Sequence, residues 1–129
     1  MVYIERQKLM RVLLLERDDA LASVLADFLR DEGHVVTQAL DMRQADCLAR
    51  GSGCDACIVD PGGASFLELA PADAADLRRL ARHVPVVVTT ARGWARRTEP
   101  ALLGVHAILS KPFDLGELAQ ILDAVAQQA

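Results

Sequence analysis

Residues 12–33 read VLLLERDDALASVLADFLRDEG, and two periodicities meet inside that stretch. Val12-Leu13-Leu14-Leu15 is a short apolar run without polar alternation, the pattern of a strand covered on both faces in a parallel sheet. From Asp19 the pattern changes. Leu21, Val24, Leu25, Phe28 and Leu29 recur at three- and four-residue spacing, which draws one face of a helix. Asp18 or Asp19 can cap its start, and Gly33 stands where a helix end takes a left-handed residue.

The alternation continues along the chain. His34-Val35-Val36-Thr37 predicts a second strand, and Met42 to Arg50 a weaker helix closed by Gly51-Ser52-Gly53. Ala56-Cys57-Ile58-Val59 predicts a third strand, stopped by Asp60-Pro61-Gly62-Gly63. A helix is expected between Phe66 and Arg82, with Pro71 breaking or restarting it. Pro85 to Thr89 reads as the fourth strand and Trp94 to Leu103 as a short helix compromised by Pro100. Ala107-Ile108-Leu109 reads as the fifth strand, and Leu115 to Ala126 as a final helix with Leu118, Ile121, Leu122 and Val125 on one face. Five strands, each followed by a helix, imply an α/β fold: a doubly wound, five-stranded parallel sheet with helices on both faces.

Composition bounds the rest. The 129 residues carry 14 Lys+Arg against 18 Asp+Glu, a formal charge of -4, with 52% hydrophobic residues. That length fits one domain, expected over residues 1–129 with its core at about residues 10–127 and no output domain. The acidic balance gives no footprint for nucleic acid. No apolar stretch suits a membrane span, and no h-region follows Met1, so a soluble, cytoplasmic protein without a membrane partner is expected. Cys47, Cys54 and Cys57 are an odd set expected as free thiols. Cys54-x-x-Cys57 has no second pair to complete a zinc site, and His34 and His83 fall on unrelated elements.

In a doubly wound sheet, ligands bind beyond the carboxyl ends of the strands, at a topological switch point. That rule selects Glu16-Arg17-Asp18, Asp60, Thr89-Thr90 and Ser110-Lys111. Acidic, hydroxyl and lysine side chains converging there suit phosphoryl chemistry, which requires charge neutralisation and in-line positioning. A flavin or nucleotide enzyme is disfavoured, because Glu16-Arg17-Asp18-Asp19 repels phosphate and no Gly-x-Gly-x-x-Gly accompanies Gly62-Gly63.

From about Arg11 to Gln127 these motifs resemble the receiver domain of bacterial two-component response regulators. That family places an acidic pair after the first strand, a phosphate-accepting Asp after the third, Thr or Ser after the fourth, and Lys-Pro after the fifth. Here those positions read Glu16-Arg17, Asp60, Thr90-Ala91 and Lys111-Pro112-Phe113. The resemblance implies a flavodoxin-like fold and a signalling protein rather than an enzyme. It implies Asp60 as phosphoacceptor, Lys111 and Thr90 as ligands of the phosphoryl group, and a typically cis peptide before Pro112. It further implies Mg²⁺ held by Glu16, Asp60 and the Gly62 backbone. The implied partners are a histidine kinase or phosphotransfer protein and a downstream protein target. A homodimer through the face of the fourth helix, fifth strand and fifth helix belongs to the same implication.

The departures carry as much information. Arg17 stands where the family usually has a second Mg²⁺ ligand, and Ile108 replaces the aromatic that rotates in switching. With Glu16 and Asp60 balanced by Arg17 and Lys111, little attraction for a divalent cation is left, so Mg²⁺ is expected to be weak or absent. Two unit charges about 4 Å apart interact by about 4 kcal/mol at an effective dielectric of 20, enough for one inverted charge to decide binding. Asp18 serves either as a substitute metal ligand or as the cap of the first helix. Arg17 has two readings. In one it pairs with Asp60 and makes a phosphorylation-independent pseudo-receiver that binds proteins. In the other it points to solvent or contacts the phosphoryl group. Finally, Arg78, Arg79, Arg82, Arg92, Arg96 and Arg97 concentrate positive charge in mid-chain. They form either solvated helix faces or a docking surface near the fourth helix, with Trp94 as its anchor.

Overall fold

The computed structural model describes residues 8–51 and 53–128, so residues 1–7, Ser52 and Ala129 lie outside the described residues. Its elements are β1 (Arg11–Leu15), α1 (Asp19–Asp31), β2 (Val35–Gln38), α2 (Met42–Gly51), β3 (Ala56–Val59), α3 (Pro71–Ala81), β4 (Val86–Thr90), α4 (Pro100–Leu103), β5 (Ala107–Ser110) and α5 (Leu115–Gln127). The five strands form one sheet in the order β2-β1-β3-β4-β5, and all pairs are parallel. The order reverses between β1 and β3, which opens the switch point at the carboxyl ends of those two strands.

The apolar runs are continuous because each strand is buried on both sides. Leu13 and Leu15, Cys57 and Val59, and Val86 and Val88 face one layer, packed on Ala45 and Ala49 of α2 and Leu77 and Leu80 of α3. Val12 and Leu14, Ile58, Val87 and Leu109 face the other, packed on Leu25 and Leu29 of α1 and Leu118 and Leu122 of α5. Successive side chains on a strand point to opposite faces, so both layers need apolar residues at every position. Asp18 caps α1, its Oδ1 accepting the Leu21 N–H at 3.1 Å. The helix ends at Glu32, and Gly33 follows with φ +96°. Asp114 caps α5 in the same manner. No helix among the described residues is long and apolar enough to cross a membrane.

Several boundaries differ from the sequence reading, each for a local reason. Buried His34 is spent on the turn: its N–H donates to the Leu29 carbonyl at 3.0 Å and its Nδ1 accepts from the Met10 N–H at 3.0 Å. The second strand therefore starts at Val35. Pro85 lacks an N–H for the ladder, so β4 starts at Val86 and runs to Thr90, which pairs with Ser110 and lengthens β5. Of the two roles open to Pro71 the structure shows the start: α3 begins there and runs to Ala81, short of the 66–82 span.

The segment Trp94 to Leu103 is not one helix. A 3-10 turn covers Gly93–Arg97, and α4 is a single turn that starts at Pro100 and ends at Gly104, with φ +69°. Thr98 separates the two pieces, its hydroxyl donating to the Trp94 carbonyl at 2.8 Å. Trp94 is 3% exposed and packs in the α2–α3 layer, which removes it as a docking anchor. Reduction of the fourth helix to four residues also shrinks the face expected for a homodimer.

Leu25 and Val24 are neighbours on α1, 0% and 50% exposed. Leu25→Ala should therefore cost about 2–5 kcal/mol in urea unfolding, and Val24→Ala should stay within about 0.5 kcal/mol. Comparable costs at both positions would contradict this placement of α1 on the sheet.

Candidate functional site

The backbone ladder itself assembles the site. The Asp60 N–H donates to the Leu15 carbonyl at 2.8 Å, carrying the β1–β3 ladder one step past β3 and setting Asp60 beside Glu16. The Lys111 N–H donates to the Thr90 carbonyl at 2.8 Å and does the same for β4 and β5. The peptide between Lys111 and Pro112 is cis. Four residues scattered along the chain thus meet at one sheet rim because four adjacent strands end there.

The Lys111 ammonium lies between two carboxylates, with Nζ 2.7 Å from Glu16 Oε1 and 2.7 Å from Asp60 Oδ2. Side-chain exposures are 16% for Lys111, 1% for Glu16 and 14% for Asp60. Buried charges of this kind persist only when paired and further hydrogen-bonded. Glu16 Oε2 accepts the Asp18 N–H at 3.0 Å, and Asp60 Oδ1 accepts the Gly62 N–H at 2.8 Å. Glu16 Oε1 meets the Lys111 ammonium at 2.7 Å and has no other partner among the described residues. Burial works to lower the Lys111 pKa, but the hydrogen bonds to Asp60 and Glu16, and then their charges, outweigh it and raise it above its ordinary 10.5.

Arg17 does not pair with Asp60; the residue is exposed, as in the second of its two readings, and one end of the guanidinium rests on backbone. Its Nη2 donates to the Pro61 carbonyl at 3.2 Å, and among the described residues it forms no ion pair with Asp60. The guanidinium lies across Gly62, where a Cβ would stand 2.5 Å from Arg17 Nε and 3.0 Å from Cζ. Gly62 also has φ +69°, so glycine serves twice: it closes the turn after Asp60 and leaves room for the arginine. Of the two roles open for Asp18, the structure shows the cap.

Of the two adjacent threonines, Thr90 lines a pocket with Lys111 and Ser110, while the buried Thr89 hydroxyl has no partner among the described residues. Thr90 Oγ1 accepts the Arg92 N–H at 3.0 Å, which leaves its own O–H free to donate toward the pocket. Arg92 in turn donates from Nη2 to the Gly63 carbonyl at 2.8 Å. The sequence reading brought Glu16, Asp60, Thr90 and Lys111 to one place, and the structure does the same. It missed the arginine-to-carbonyl contacts of Arg17 and Arg92, for which the Pro61-Gly62-Gly63 turn was the available signal.

The thiols stand apart from this chemistry. Cys47 is exposed, Cys54 half-buried and Cys57 buried, all unbridged. Burial, with Cys54 adding to it, pushes the Cys57 thiol far above the usual thiol range, so it behaves as a core side chain rather than a nucleophile.

A raised lysine pKa contributes stability that is fully present below the unfolded-state value and is lost as pH rises through the folded one. The unfolding free energy should therefore decline above about pH 10.5, and Lys111→Met should remove that part of the decline. Gly62→Ala should displace Arg17 and cost about 1–2 kcal/mol for the left-handed backbone alone, read by chemical denaturation.

Comparison with known proteins places this arrangement. No protein-family model matches the chain. Over 122 residues, 92% of the chain, it is 34% identical to the transcriptional regulatory protein TcrA of Mycobacterium tuberculosis. Over 125 residues, 93% of the chain, it is 34% identical to the virulence transcriptional regulatory protein PhoP of Salmonella typhimurium. The chain spans about half the length of these curated relatives, 46% of TcrA and 53% of PhoP. The solved non-phosphorylated receiver domain of HemR from Leptospira biflexa is 27% identical, with a TM-score of 0.67 over 89% of this chain and 92% of that one. The receiver domain of sensor histidine kinase PA1611 from Pseudomonas aeruginosa, solved with magnesium in its active-site cleft, is 25% identical, with a TM-score of 0.69 over 92% of this chain and 99% of that one. Vibrio cholerae chemotaxis protein CheY4 shares the fold, with a TM-score of 0.72 at 20% identity over 92% of this chain and 99% of that one. The fold, the strand-end acidic, hydroxyl and lysine groups and these relatives make the chain similar, over about nine-tenths of its length, to the receiver domains of two-component response regulators.

Proposed function

We propose that this receiver domain accepts a phosphoryl group on Asp60 from the phosphohistidine of a histidine kinase or phosphotransfer protein, and thereby changes which protein partner it binds. The observation that supports it is the shared ammonium: Lys111 touches Asp60 and Glu16 at 2.7 Å each, on a sheet rim that Thr90 also reaches. A carboxylate oxygen of Asp60 attacks phosphorus, and the donor P–N bond breaks with its electron pair leaving on the imidazole nitrogen. An acyl phosphate forms on Asp60. Lys111 moves from the carboxylate to a phosphoryl oxygen, and the free Thr90 O–H donates to another. The domain is then an acceptor and switch rather than an enzyme with a turnover substrate.

The donor set does not fit a divalent ion, so no step is assigned to one. Mg²⁺ takes near-octahedral oxygen ligands, usually one or two carboxylates with waters and phosphate. Here an ammonium already bridges Glu16 and Asp60, Asp18 caps α1, and the Arg17 guanidinium covers Gly62. No group of three or more His, Cys, Asp or Glu among the described residues could hold a metal. Arg17 instead supplies a second fixed cation beside the acceptor turn, and a guanidinium suits phosphate oxygens as well as it suits a carbonyl.

One observation favours the pseudo-receiver as a second reading. Both Asp60 oxygens are engaged, by Lys111 and by the Gly62 N–H, and Arg17 lies against the same turn. Incubation with phosphoramidate, with and without Mg²⁺, and intact-mass measurement distinguish the two. The proposal expects one phosphoryl adduct in both conditions, lost in Asp60→Asn and slowed by roughly a hundredfold in Lys111→Met. Absence of an adduct under every condition would establish the pseudo-receiver in its place.

A further inference from the structure

Beside the acceptor rim, two grooves run together on the α3–α4 side of the molecule. One, of about 360 Å³, has Thr90 and Lys111 on its inner wall. The other, of about 430 Å³, lies between α3 and α4, and the two share Leu67 and Arg97. Shortening of the fourth helix to one turn leaves this side open. Phe66, Leu67 and Leu102 are 55%, 61% and 65% exposed along it, three of the seven large apolar side chains exposed among the described residues. The Phe66 ring lies against Gly93, where a Cβ would clash with it. Contiguous apolar surface with a polar rim marks an interaction site rather than ordinary scatter.

The rim carries four arginines of one sign. Arg78, Arg92 and Arg97 donate to the Leu102, Gly63 and Leu67 carbonyls at 3.1, 2.8 and 2.9 Å. Arg96 is exposed beside them on the 3-10 turn. None of the four forms an ion pair with a carboxylate among the described residues, and Glu68 is the acidic side chain lining the grooves. Backbone carbonyls therefore fix three guanidinium groups in position without cancelling their charge. That is unusual economy for a chain of net charge -4, where carboxylates are in excess. Preorganised charge around an apolar floor is arranged to meet the opposite sign on a partner.

We infer that this double groove docks an acidic amphipathic segment of a partner protein, with its apolar face on Phe66, Leu67 and Leu102 and its carboxylates on the arginine rim. An open apolar groove rimmed by charge suits an amphipathic peptide or helix laid lengthwise. Lys111 and Thr90 on the inner wall place the docked segment alongside the acceptor. The inference stands apart from phosphorylation, because it rests on the grooves and their charge alone.

The test is fluorescence anisotropy of the full chain with a labelled synthetic helical peptide, carrying leucines on one face and glutamates along its flanks. The counterpart peptide has lysines in place of the glutamates. The expected result is saturable binding of the acidic peptide only, weakened as ionic strength rises. Arg96→Glu, which removes no hydrogen bond within the fold, should reduce affinity by about tenfold, and Phe66→Ser should reduce it as well. Arg30→Glu on the far helix α1 should leave it unchanged. Equal binding of both peptides, no binding of either, insensitivity to Arg96→Glu, or partition of the chain onto anionic phosphatidylglycerol vesicles in preference to the peptide would each overturn the inference. Circular dichroism of every variant ensures that lost binding is not lost folding.

Discussion

One ammonium held between two carboxylates organises this molecule's functional end. Lys111 lies 2.7 Å from both Glu16 and Asp60, and the three side chains are almost withdrawn from water. Removing the ammonium would strand both carboxylates in a low-dielectric rim, where an unpaired ion costs several kcal/mol. The sheet makes the arrangement affordable by carrying its ladder one residue past β3 and β5, so that backbone hydrogen bonds fix Asp60 and Lys111 before their side chains meet. Two further amides, those of Asp18 and Gly62, occupy the remaining carboxylate oxygens. The rim is a closed electrostatic unit resting on a fully apolar sheet.

Charge balance at that rim also explains the local chain. The turn after Asp60 runs through Pro61 and a left-handed Gly62, and the missing Cβ is the space in which the Arg17 guanidinium lies. Arginine at this position and glycine two residues past the acceptor are thus one structural feature, although 45 positions separate them. Arg92 repeats the device on the other side, joining the β4 end to the Gly63 carbonyl while its own N–H meets Thr90. Anchored on carbonyls, both guanidinium groups keep their full positive charge beside the acceptor turn.

Much of the fold was legible from sequence because a parallel sheet covered on both faces demands unbroken apolar runs, and β1, β3 and β4 supply them. Boundaries were less so. His34 looks like the first residue of a strand, yet its ring nitrogen is committed to the Met10 amide, a contact between segments 24 residues apart. Trp94 looks like the start of an amphipathic helix, yet its N–H is drawn to the Phe66 carbonyl at 3.1 Å and the indole is buried. At the site, Glu16, Asp60, Thr90 and Lys111 follow from strand ends and residue chemistry. The partner of Arg17 does not, since a backbone carbonyl has no residue type to announce it.

Charge balance by Lys111 and Arg17, in place of a divalent cation, is therefore the claim on which the mechanism turns. The most direct measurement is a ¹H–¹⁵N NMR titration of the unphosphorylated protein with Mg²⁺, following the amides of Asp18 and Gly62, which sit on Glu16 and Asp60. The account predicts no saturable shift of either amide at millimolar Mg²⁺, and the appearance of such shifts when Arg17 is replaced by Asp. Saturable shifts of both amides in the unaltered chain would contradict it.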